Sequence, residues 1–140
     1  MQAIIQAVVA RIAASAVLAQ LLGGAAQVFV TPAPEGVGLP VLTISRVEQI
    51  TAHAFGGAAC ETVDIDLTLA AASMEQTLSL GDALTALFDG AAFTLSSGML
   101  LLCEQTGASR VDLAAHNSQN LEVFQTTIRL RLITYQPPAS

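Results

Sequence analysis

The stretch Leu121-Glu122-Val123-Phe124-Gln125-Thr126-Thr127-Ile128-Arg129-Leu130-Arg131-Leu132-Ile133-Thr134-Tyr135 decides the fold. Side chains on a strand alternate between its two faces. Phe124, Thr126, Ile128, Leu130 and Leu132 gather on one face, and Val123, Gln125, Thr127, Arg129 and Arg131 on the other. This predicts a long, half-buried strand with one apolar side and one cationic, hydrogen-bonding side. Two of the chain's 5 basic residues lie there, and no other stretch has the look of an active site. The chain reads as one that presents surfaces.

A second strand of the same kind precedes it. From Cys60 to Ala70, Val63, Ile65, Leu67 and Leu69 face one way, and Thr62, Asp64, Asp66 and Thr68 the other. Asp64 and Asp66 repeat the spacing of Arg129 and Arg131. If the two strands pair, or meet across a subunit boundary, the four charges form a ladder; otherwise they are solvated charges on the wet side of a sheet. Cross-strand pairs of opposite charge contribute only about 0.2–1 kcal/mol each, so a ladder acts more on register and partner choice than on affinity.

Around these strands the remaining elements follow. Ile4, Ile5, Val8, Val9 and Ile12 recur at helical spacing, with Ser15 as an interruption or restart before Val17, Leu18, Leu21 and Leu22. Gly23-Gly24 supplies a C-cap. Gln27–Val30 reads as a short strand, residues 31–38 as a Pro/Gly loop, and Val41–Glu48 as a strand entered through Leu39-Pro40. Residues 49–59 have weak periodicity and read as a long loop or hairpin tip, an arm able to reach a neighbouring subunit. Ser73, with Gln76 three residues on, opens a helix whose apolar side is Met74, Leu78, Ala83, Leu84, Leu87 and Phe88; Asp89-Gly90 ends it. Phe93–Leu95 reads as a short strand, Met99–Gln105 as an apolar strand, and residues 111–120 as a polar connection. The expected fold is α+β: a mostly antiparallel sheet of four to five strands with two helices packed on one face, in a single domain over residues 1–136 with a flexible tail at 137–140.

Composition narrows the function. Of 140 residues, 53% are hydrophobic and only 11% charged, against roughly 25% charged in an average soluble domain. So few charges imply that weakly polar surface meets another subunit; the competing explanation is an alanine-rich composition that inflates the hydrophobic count. The net charge is −6, all the basic residues are arginine, and no broad electrostatic grip on nucleic acid is available. A chain without lysine has no Walker lysine. His53, Cys60, Cys103 and His116 match no close-paired zinc motif, and Asp64, Asp66, Asp82 and Asp89 form no calcium loop. Cys103 with His116 and Asn117 would make a cysteine hydrolase only if the thiol were exposed, and an apolar strand buries it. No metal, cofactor or catalysis is expected. Gln6, Arg11 and Gln20 interrupt the N-terminal apolar run, which reads as an amphipathic helix of a soluble protein and not as a signal peptide or a membrane span.

The order Leu21-Leu22-Gly23-Gly24, Gln27-Val28-Phe29, Leu39-Pro40-Val41-Leu42-Thr43-Ile44, the acidic strand Glu61–Leu69 and the closing Ile133-Thr134-Tyr135 resembles the phage tail terminator family, also called minor tail or tail-completion proteins, with relatives in gene transfer agents. The resemblance covers most of the chain and rests on the order and spacing of these motifs together. It implies a ring, usually a hexamer, on the head-proximal end of the tail tube. That ring stops tube polymerisation and docks the head–neck connector. The implied partners are copies of the chain itself, the tube protein and the connector, with DNA passing the lumen unbound and no membrane contact. The implied location is the neck region of the virion tail, assembled in the bacterial cytoplasm. Arg46, Glu48, His53, Phe55, Asp64, Asp66, Arg129 and Arg131 are the candidate interface residues. The alternative is a head–tail adaptor or neck component, or a generic oligomerising α+β binding module.

Overall fold

The computed structural model describes residues 2–22, 28–29, 40–53, 59–95, 98–106, 111–116 and 122–136. Its elements are α1 (Gln2–Ala13), α2 (Ala16–Leu21), β1 (Val28–Phe29), β2 (Val41–His53), β3 (Ala59–Ala71), α3 (Met74–Phe88), β4 (Met99–Thr106), β5 (Val111–His116) and β6 (Glu122–Gln136). The fold is α+β. The strands form one sheet in the order β1-β2-β3-β6-β4, with β5 also paired to β6. β2, β3, β6 and β4 run antiparallel to their neighbours, and β1 is parallel to β2. No helix among the described residues is long and apolar enough to cross a membrane.

The alternation of β3 and β6 builds the core. Val63, Ile65, Leu67 and Leu69 meet Ile128, Leu130 and Leu132 on the inner face, all of them buried. The helices bring Ile4, Val8, Ile12, Leu18, Leu80, Leu84 and Phe88 into the same core. α3 lies close on β6: at Gly81 an added Cβ would stand 3.9 Å from side-chain atoms of Ile128 and Thr126. Ser15 restarts the helix as read from sequence, its hydroxyl accepting from Leu18 N at 3.2 Å. Ser73 caps α3 the same way, accepting from Gln76 N at 3.1 Å. Arg11 joins α1 to the end of α3: its Nε donates to the Leu87 carbonyl at 2.9 Å, and its guanidinium lies 5.2 Å from the Phe93 ring centre. The turn after α3 is tied to β4 by Gly90 N to Cys103 O at 2.9 Å and by Gln105 N to Asp89 Oδ1 at 3.1 Å.

Four readings of the sequence are corrected. Met74 and Leu78 are exposed, and the buried stripe of α3 is Thr77, Leu80, Leu84 and Phe88. Thr77 can be buried because its hydroxyl donates to the Ser73 carbonyl at 2.8 Å, which removes the cost of an unpaired polar group. The expected loop over residues 49–59 is strand on both sides, since β2 continues to His53 and β3 begins at Ala59; any arm lies in 54–58, outside the described residues. Residues 111–116 of the expected polar connection are strand β5, paired from Val111↔Thr126 to His116↔Glu122. Phe93–Leu95 is not a strand: Phe93 stands edge-on to Phe88, with centroids 6.2 Å apart, and Leu95 is buried. The Gly23-Gly24 cap and the loop at 31–38 fall outside the described residues.

Candidate interaction face

The second face of the sheet is built row by row, because residues paired across adjacent strands point to the same side. One row is Arg46, Asp66, Arg129 and Thr106; the next is Glu48, Asp64, Arg131 and Glu104. Beyond them come Ile50, Thr62, Ile133 and Leu102. The last row is Ala52, Cys60, Tyr135 and Met99. On the opposite flank of the charged rows is a hydroxyl cluster, where Thr68 Oγ1 donates to Ser45 Oγ at 2.8 Å and lies 3.4 Å from Thr127 Oγ1. The face therefore grades from hydroxyls, through a charged grid, to an apolar end.

The charged rows are knitted within a single chain. Arg129 holds Asp66 bidentately, Nε to Oδ1 at 2.8 Å and Nη2 to Oδ2 at 3.2 Å. Arg131 holds Asp64 the same way, at 2.9 and 3.2 Å. Arg46 reaches from β2 to β3, its Nε donating to Asp66 Oδ2 at 3.0 Å, and along β2, its Nη1 donating to Glu48 Oε2 at 2.8 Å. That bridge offsets the repulsion of Glu48 and Asp64, which stand opposite each other. The bidentate hydrogen bonds from Arg129 hold the Asp66 carboxyl below its ordinary value of 3.8, against burial, which pushes it up; Arg46 adds a further hydrogen bond. Arg131 does the same for Asp64. The carboxylates are shielded while the arginine side chains stay 42–48% exposed, so they remain available to solvent or to a partner.

Of the residues singled out from sequence, Arg46, Glu48, Asp64, Asp66, Arg129 and Arg131 meet in this network. His53 ends β2 opposite Ala59, beyond the apolar rows, and Phe55 lies outside the described residues. Sequence reasoning missed the apolar half of the face. Continuing the β6 alternation past Arg131 would have placed Ile133 and Tyr135 on the side of the arginines. Ile50 is 64% exposed and Met99 59%, an unusual price for large apolar side chains unless something covers them. Cys103, on the inner face, is buried, and burial pushes its thiol up to about 11, which disfavours the thiolate.

The described residues thus form a sheet with one buried face and an ion-paired second face. In the comparison with protein families, residues 6–134 match the family described as tail completion protein gp17. The chain belongs to that family. Tail completion proteins are structural virion proteins, not an enzyme class. Among solved structures the chain is similar in fold to a chain of the virion of a native gene transfer agent (GTA) particle. The TM-score is 0.70 at 20% identity, over 91% of this chain and 92% of that one. None of the curated proteins compared matches it.

Proposed function

We propose that this tail completion protein is a structural subunit of a phage or gene transfer agent tail. It closes into a ring, a homo-hexamer, on the head-proximal end of the tail tube. There it ends tube polymerisation and joins the tail to the head–neck connector. The observation that carries this reading is the family match across nearly the whole chain, 6–134, on a fold whose second sheet face is half ion grid and half exposed apolar surface. The mechanism is surface complementarity: tube subunits on one side, connector on the other, copies of itself around the ring. The interface is assigned to the second face of the sheet and its arginine tips, Arg46, Arg129 and Arg131, with His53 at the end of β2 and with Phe55, which lies outside the described residues. The net charge of −6 keeps DNA passing the lumen from adhering, because like charges repel.

Light scattering on a sizing column, over a concentration series and with tail-tube protein added, tests the reading. A sixfold mass or capture on tube ends is expected. A monomer or dimer that ignores tube ends overturns it in favour of a neck adaptor or a generic oligomerising module.

A further inference from the structure

The sheet ends in two open edges that match each other. On one side β1 covers β2 only at Leu42 and Thr43, so β2 from Arg46 to Ala52 has no neighbour on that side among the described residues. On the other side β4 is the terminal strand, and its outer edge has no partner among the described residues. The rows place the two at one level: Thr106 shares a row with Arg46, and Leu102 with Ile50. β5 lies further along the same side as β4, at the level where β1 covers β2, since Val111 shares a row with Leu42. Each open edge thus has the length and position of the other.

Proteins usually blunt an exposed edge with charge, proline or a covering element. β4 has a register shift between Leu100 and Leu102 but neither charge nor proline before Glu104, and Met99, Leu101 and Leu102 are 59%, 55% and 38% exposed. Ile50 on the β2 edge is exposed in turn.

We propose that the outer edge of β4 pairs with the open half of β2 of a second copy of this chain, so that the sheet continues from subunit to subunit. The inference deepens the ring reading and rests on it. Strand directions allow the joint. β2 and β6 run one way, β3 and β4 the other, so β4 meets the neighbour's β2 antiparallel, as every pair of the central sheet is made. In the continued rows Leu102 meets Ile50 of the next copy and both lose water. Glu104, without an ion pair among the described residues, comes diagonal to that copy's Arg46, within reach of a long side chain. Glu104 also faces Glu48 there, and the same Arg46, already 2.8 Å from Glu48, stands between the two carboxylates. Because two different edges meet, the contact is head-to-tail, the kind that closes rings and not twofold dimers.

The test is site-directed cross-linking in a Cys60→Ser background, in which Cys103 stays buried. Two proteins, Ile50→Cys and Leu102→Cys, are treated with a short bis-maleimide, separately and mixed, with tube protein present and absent. The expected result is a covalent dimer only in the mixture. The double variant Ile50→Cys/Leu102→Cys should give a ladder of multimers ending at the ring. Light scattering on the same samples separates the possible failures. A ring that forms without cross-links in the mixture overturns the edge pairing and leaves the ring reading standing. Cross-links in either variant alone indicate a twofold contact and overturn it too. A chain that stays monomeric throughout removes both. As a second measure, Leu101→Lys puts a gatekeeping charge on the β4 edge without touching the core, and should abolish assembly while leaving the thermal transition of the monomer in place.

Discussion

Asp66 sits on the face of the sheet away from the core yet is only 7% exposed, because Arg129 closes over it with two hydrogen bonds from the adjacent strand. Arg46 takes up the same carboxylate from the other side at 3.0 Å. One aspartate thus ties β2, β3 and β6 together at mid-sheet.

Asp66→Ala is expected to destabilise the monomer by about 1–3 kcal/mol, since it strips two guanidiniums of a shielded acceptor. Asp64→Ala, which releases only Arg131, is expected to cost about 1 kcal/mol, because the arginine is half exposed and rehydrates. Denaturant unfolding of the two variants, with an Asp66/Arg129 double-mutant cycle, checks this. Equal costs for the two aspartates would show that Arg46 adds nothing.

Stability should depend on pH through the same pair. Both carboxyls titrate below 3.8 in the folded chain, so the native state binds fewer protons than the unfolded one in that range. Their contribution is complete above 3.8 and is lost as the pH falls through the folded-state values. Urea midpoints measured from neutral pH to about pH 2 should fall steeply in that acid window. The Asp64→Asn/Asp66→Asn variant should show a shallower fall. Parallel curves for the two proteins would remove the assignment.

Gly98 and Gly90 both hold positive φ, 78° and 71°, but their surroundings differ. A Cβ at Gly98 would clash with the Gln136 side chain and come within 2.9 Å of the Tyr135 carbonyl, whereas at Gly90 nothing lies within 4 Å. Gly90→Ala is therefore expected to cost about 1–2 kcal/mol, the left-handed strain alone. Gly98→Ala should cost clearly more, because the β4 entrance must move away from β6. Thermal and denaturant melts of the two variants rank them.

The cysteines should separate by reactivity. Half-buried Cys60 should react with a thiol reagent in the native protein, while Cys103, buried and raised to about 11, should react only on unfolding. Fast labelling of Cys103 at about pH 8 would show that β4 opens in the native state.

The two long central strands were legible because each keeps a strict period of two over a buried face, and the Ser73 cap because it acts on a backbone group only three residues away; at Ser15 the sequence showed a break in the helix, and the structure adds the cap. β5 and the far half of β2 were not legible. β5 carries a register shift between Leu113 and Ala115, which interrupts a regular period, and in the far half of β2 the positions in line with the inner face, Gln49 and Thr51, are polar. The stripe of α3 was misplaced because Thr77 looks polar in sequence and becomes core only through its bond to the Ser73 carbonyl.

By itself, the sequence determined the α+β class, the apolar faces of β3 and β6, and the presence of matched acidic and basic pairs, because these depend on local period and residue chemistry. Only the tertiary structure decided that β3 and β6 are neighbours, so that Asp64 meets Arg131 and Asp66 meets Arg129 inside one chain. It alone decided that Ile50 and Leu102 share a row at opposite edges of the sheet. The reason is that strand order and register arise from pairing between segments as far apart as residues 62 and 133, and no local pattern encodes that distance.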